Sequence, residues 1–148
     1  MRLAGRLTLL VTIALAACGA PPRDPVERLL HDISEAAEDR DAAAVGERLA
    51  EDFRGEGGMR RVEAVATLRR YLAGYDRIGV EVYDLQRAED GHVTFRADFT
   101  GKPKDVGGLA GLLPETAVYE FELELGGEGE ELMVQRASWR LWTPPPSR

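Results

Sequence analysis

The chain has 148 residues, 44% hydrophobic and 30% charged, with 19 basic against 26 acidic side chains. That length suits one domain with a buried core, and the composition excludes a disordered chain. The acidic balance excludes a nucleic-acid binder, which needs a basic stripe to displace counterions from phosphate. A single cysteine excludes an internal disulfide framework and any multi-cysteine metal site.

The first segment reads as an address. Arg2 and Arg6 form a positive start, and Leu7 to Leu15 is an unbroken apolar run, too short to span a bilayer. Leu15-Ala16-Ala17-Cys18-Gly19 follows. This stretch resembles the lipobox of bacterial lipoproteins, which implies cleavage after residue 17 and acylation of Cys18, the sole cysteine. Residues 1–17 are then a signal peptide and residues 18–24 a lipidated tether. Two or three acyl chains hold a protein stably on a membrane where one does not. Cleavage removes two arginines and no acid, so the mature chain is more acidic still. Glycine rather than aspartate after the cysteine implies, by the same resemblance, the periplasmic side of the outer membrane. The tether reaches about 20 Å at most.

Asp24 and Pro25 then open a helix as cap and first residue. Val26, Leu29, Leu30, Ile33, Ala36 and Ala37 form its apolar stripe, with His31 between Glu27 and Glu35 on the polar side. Asp41 caps a second helix, whose expected apolar face is Ala42, Val45, Leu49 and Phe53. After a glycine-rich break, a third helix is expected from about Arg60 to Ala73, with Val62, Val65, Ala66, Leu68 and Leu72 inward. Arg69 falls in the middle of that stripe. It must reach past the helix end, pair with a carboxylate, or enter a polar cavity.

From Ile78 the apolar period drops to two. Ile78, Val80 and Val82 alternate before a turn at Glu89-Asp90-Gly91. Val93, Phe95, Ala97 and Phe99 form the inward set of the next strand. A loop from Gly101 to Pro114 carries an apolar cluster of Leu109, Leu112 and Leu113. Ala117, Tyr119, Phe121, Leu123 and Leu125 face inward in the third strand, and Met133, Ala137, Trp139 and Leu141 mark the last. Residues 25–142 thus form one α+β domain, three N-terminal helices on a curved antiparallel sheet of about four long strands. Residues 143–148 are a proline-rich tail.

The order of elements, with Glu38-Asp39-Arg40-Asp41, Ala44-Val45 and Leu49-Ala50-Glu51-Asp52-Phe53, resembles the NTF2-like superfamily, also called cystatin-like or SnoaL-like. The resemblance implies a cone whose open end can be a ligand pocket. Enzymes of that kind place acids, histidines or tyrosines on the inner wall, yet no carboxylate or histidine has inward parity on the two middle strands. A second reading as an isomerase or hydratase would need Asp98, Asp84 or Glu81 turned into the cone.

The candidate pocket consists of Arg69, Phe95, Tyr119, Gln135 and Trp139, mostly apolar with a few convergent polar groups. A core filled by Tyr119 and Trp139 is the slightly favoured alternative. On the opposite face Glu120, Glu122 and Glu124 match the parity of Arg136 and Arg140, with Arg96 on the other side. These six make either a solvated ladder of ion pairs or a docking face for a second copy or another envelope protein. His31 and His92 read as surface groups. No metal and no cofactor is implied. The expected function is a membrane-anchored lipoprotein that binds a small apolar or amphipathic molecule, or docks an envelope protein, without catalysis.

Overall fold

A computed structural model describes residues 20, 22–104 and 113–145. Cys18, the apolar run before it, Leu109, Leu112 and the last three residues lie outside the described residues.

Helix α1 (Pro25–Glu38) begins as its sequence dictates. The Asp24 carboxylate accepts from the N–H groups of Val26 and Glu27, both at 3.0 Å, while Pro25 occupies the first turn, where a missing N–H costs nothing. The helix ends where Arg40 adopts a left-handed φ of 60° and its N–H returns to the Ala37 carbonyl. Asp41 then caps α2 (Ala42–Glu47) through the N–H groups of Ala43 and Ala44.

The second helix is shorter than its periodicity suggests. Leu49 and Phe53 belong to strand β1 (Leu49–Arg54), which runs parallel to the last strand of the sheet. Both side chains are still buried. Their four-residue spacing mimics a helix, but the backbone pairing that decides the matter comes from more than eighty residues downstream.

Helix α3 (Arg61–Ala73) forms within a residue of its expected start, but its phase differs. Val62 is 79% exposed, and Ala66 and Arg69 also face solvent. The buried or half-buried side is Ala64, Val65, Leu68, Tyr71 and Leu72. Apolar residues occur almost all round this helix, so the stripe read from spacing alone has no unique centre.

The sheet has five strands in the order β1-β5-β4-β3-β2, with β2 (Tyr75–Arg87), β3 (His92–Pro103), β4 (Thr116–Gly126) and β5 (Met133–Leu141) antiparallel in sequence. β2 starts three residues before Ile78. Val93, Phe95 and Ala97 pair with Leu123, Phe121 and Tyr119, so the inward rows of β3 and β4 coincide as their alternation requires. The register of β5 shifts between Val134, opposite Leu125, and Arg136, opposite Glu124. That bulge makes Val134 rather than Met133 the buried residue at the start of the strand.

The helices cover the concave face. Leu29 and Leu30 of α1 pack with Leu49, Phe53, Val93, Phe95, Leu123 and Val134 in one cluster. A smaller cluster joins Ala42, Leu72, Tyr75 and Ile78. Polar contacts fix α1 against its neighbours: Arg48 meets Asp32 at 2.6 Å, and the Val80 N–H on the free edge of β2 donates to Glu38 at 2.8 Å.

Candidate functional site

The concave side is not filled. A cavity of about 390 Å³ runs between the helices and the sheet, within the usual size of small-molecule pockets. Leu30, Ile33 and Ala37 of α1 and Leu68 and Leu72 of α3 form its helical wall. Phe95, Ala97, Phe99, Phe121 and Leu123 form the sheet wall. Of the described residues around it, only Thr67 of α3 and Trp139 of β5 remain exposed. An open cone thus replaces the filled core expected as the slightly favoured alternative.

Aromatic rings give the wall its rigidity. Phe95 and Phe121 stack across neighbouring strands at 5.1 Å with their planes 7° apart, and Phe121 continues to Tyr119 and Trp139 at 6.3 and 6.4 Å. Such side chains fill space with few rotatable bonds, so the cavity keeps its shape.

Only four lining residues carry polar side-chain oxygens: Ser34, Thr67, Tyr71 and Tyr119. Among the described residues no aspartate, glutamate, histidine, lysine or arginine lines the cavity. Burial pushes the Tyr71 hydroxyl up to about 12, helped by its contact with Tyr75. Burial likewise raises Tyr119, with Tyr71 adding to the effect. Both tyrosines are therefore protonated at neutral pH.

The expected pocket residues divide. Phe95, Tyr119 and Trp139 line the cavity. Arg69 does not: it projects from the exposed side of α3, because the true inward face of that helix is centred elsewhere. Gln135 does not either. It is the extra residue of the β5 bulge, and its side-chain amide lies against Gly126 on the neighbouring strand. Tyr71 and Thr67 escaped sequence reasoning with the phase of α3. The spacing of Leu68, Tyr71 and Leu72 held the signal that would have placed Tyr71 inward.

The carboxylates considered for an enzyme lie elsewhere. Asp98 borders a separate groove with Thr100, Val118, Leu141 and Trp142 and does not line the cavity. Asp84, at φ 53° in a β2 bulge, pairs with Arg96 at 2.7 Å, and Glu81 is exposed.

The convex face carries a ladder of charges. Arg140 pairs with Glu120, Arg136 with Glu124 at 3.2 Å, and Arg96 lies 3.9 Å from Glu120. The guanidinium of Arg96 also sits 4.5 Å above the ring of Trp142. His92 approaches Glu122 at 3.7 Å, and His31 lies 3.8 Å from Glu35 one helical turn on.

No protein-family model matches the chain, and no curated protein matches its sequence. Solved structures do match its shape. ActVI-ORFA from Streptomyces coelicolor superimposes with a TM-score of 0.65 at 15% identity, covering 79% of this chain and 92% of that one. A hypothetical protein with a ketosteroid isomerase-like fold from Catenulispora acidiphila, in complex with trimethylamine, gives 0.56 at 19% identity over 76% and 83%. An NTF2-like protein of unknown function from Cytophaga hutchinsonii gives 0.52 at 13% identity over 77% and 87%. Identities this low speak for shape alone. Helices laid into a curved five-stranded sheet around an open cavity give this chain the NTF2-like cone fold.

Proposed function

We propose that the chain is a bacterial lipoprotein, held through Cys18 on the periplasmic side of the outer membrane, whose cone binds a small apolar or amphipathic molecule without transforming it. The observation that carries the binding role is the cavity itself: about 390 Å³, walled by apolar and aromatic side chains, with four hydroxyls and the Trp139 indole N–H as the polar side-chain groups of its described lining. Such a lining favours desolvation of an apolar guest and gives it a few orienting contacts.

Catalysis of the isomerase or hydratase type is the weaker reading. It calls for a group within reach of the guest that accepts a proton near neutral pH. Tyr71 and Tyr119 hold their protons far above that range, and no carboxylate or imidazole lines the cavity among the described residues. The convex face is equally well described as a hydrated surface, since five of its six expected docking residues sit in ion pairs there and Glu122 lies 3.7 Å from His92.

Native mass spectrometry tests the binding role on the full chain, extracted gently from the envelope of its own host. A small molecule that leaves with the protein, and is lost when the cavity is filled by Ala97→Phe, is the expected result. Protein that emerges bare, and shows no Trp139 response to apolar dyes, refutes it. Cys18→Ser addresses the anchor separately: the acyl mass and the membrane association should both vanish, and persistence of either overturns that part.

A further inference from the structure

The direction of three hydroxyl protons determines what the polar end of the cavity can offer. The Pro114 carbonyl has no proton and only accepts. Tyr75, which has no exposed surface, places its hydroxyl 2.9 Å from that carbonyl and 3.2 Å from the hydroxyl of Tyr71. A phenol has one proton, so Tyr75 donates to Pro114 and must accept from Tyr71. The single proton of Tyr71 is thereby directed away from the cavity.

Tyr71 and Tyr119 line the same cavity, and with the Tyr71 proton committed to Tyr75, Tyr119 is the donor in any contact between their hydroxyls. That contact takes up the Tyr119 proton, so a guest finds oxygen lone pairs on both rings and gains the proton only by inserting between the two hydroxyls. Ser34 and Thr67 sit within α1 and α3, where a hydroxyl can bond to the carbonyl one turn back. They add no obligatory demand.

We infer that the guest is a neutral alcohol or phenol, whose hydroxyl sits between Tyr71 and Tyr119, donating to the first and accepting from the second. This rests on the binding role proposed above and names the chemistry of its guest. A ketone or ether of the same shape would accept from Tyr119 but leave the Tyr71 lone pairs facing hydrocarbon. A carboxylate or an ammonium would enter a cavity with no opposite charge on its described lining, at a large desolvation cost.

The test uses three fluorescent probes of one skeleton: hydroxypyrene, its methyl ether, and pyrenecarboxylate. Each is titrated into the full chain at fixed detergent concentration, read by energy transfer from tryptophan and corrected for partition into protein-free micelles. The phenol should bind about tenfold tighter than the ether, the effect of roughly one hydrogen bond, with the carboxylate weakest. Tyr71→Phe and Tyr119→Phe should each shrink the phenol–ether gap to about twofold or less, with unchanged circular dichroism. If Tyr71→Phe fails to fold, Tyr119→Phe decides. Equal binding of phenol and ether, or a gap that survives in the variants, overturns the hydroxyl assignment while the binding role stands. No energy transfer from any probe, together with bare protein from the envelope, overturns both.

Discussion

Arg87, the last residue of β2, holds Asp24, the residue that caps α1: its Nη1 lies 2.7 Å from Asp24 Oδ2, while Oδ1 accepts from two backbone N–H groups of the helix. One carboxylate thus serves as helix cap and as the bolt between helix and sheet edge. The backbone N–H of Glu27, more than Arg87, holds its pKa below the ordinary aspartate range.

Asp24→Ala should therefore destabilise the domain by about 1 kcal/mol, the usual worth of an N-cap. A group whose folded pKa is depressed contributes fully above its unfolded pKa and loses that contribution as pH falls through the folded value. Urea denaturation of wild type and variant should thus differ most near neutral pH. The two curves should begin to converge only below about pH 4 and meet once the pH has fallen through the depressed folded pKa.

Tyr71 gives the opposite dependence at the other end of the scale. Its folded pKa is raised to about 12 by burial, so its contribution is intact below the unfolded value of about 10 and lost as pH rises through the folded one. Denaturation midpoints should fall between pH 10 and 12, and Tyr71→Phe should flatten that fall. Phenolate absorbance should show a tyrosine titrating late, and its absence from the variant identifies it.

Gly101→Ala probes the packing behind the tyrosines. A methyl group there would stand 2.5 Å from the ring of Tyr75, which has nowhere to move. Overpacking of this kind costs about 1–3 kcal/mol. Loss of stability should come with weaker guest binding, because Tyr75 positions Tyr71; a neutral result would show that the ring can shift.

Arg69→Leu is expected to change stability by less than about 0.5 kcal/mol, since the residue is exposed. Thermal denaturation decides it. A loss of several degrees would mean that the guanidinium is engaged after all.

Much of this fold is legible in the chain because its signals are local. Asp24-Pro25 and Asp41 start helices through their own side chains, and the alternation from Val93 to Phe99 and from Ala117 to Leu125 assigns two strand faces correctly. What was missed depends on distant partners. Leu49–Arg54 becomes a strand only because β5 offers a parallel edge, and the inward face of α3 is chosen by what packs on it rather than by its evenly apolar sequence. For the site, the strand-borne Phe95, Tyr119 and Trp139 were readable from parity; Tyr71 and Gln135 were lost to a helix phase and a bulge.

That bulge has a consequence for how such a pocket changes its guests. Val134 and Ala137 both line the cavity although three positions separate them, which unbroken alternation forbids. Were β5 to alternate regularly through Gln135 instead of bulging there, Arg136 and Arg140 would turn inward and Ala137 and Trp139 out. The neutrality of the cavity thus depends on the irregular pairing at Gln135 as much as on the side chains of the wall. Deleting Gln135 would leave these faces as they are, whereas flattening the bulge with Gln135 retained would turn a wall for neutral molecules into one for anions.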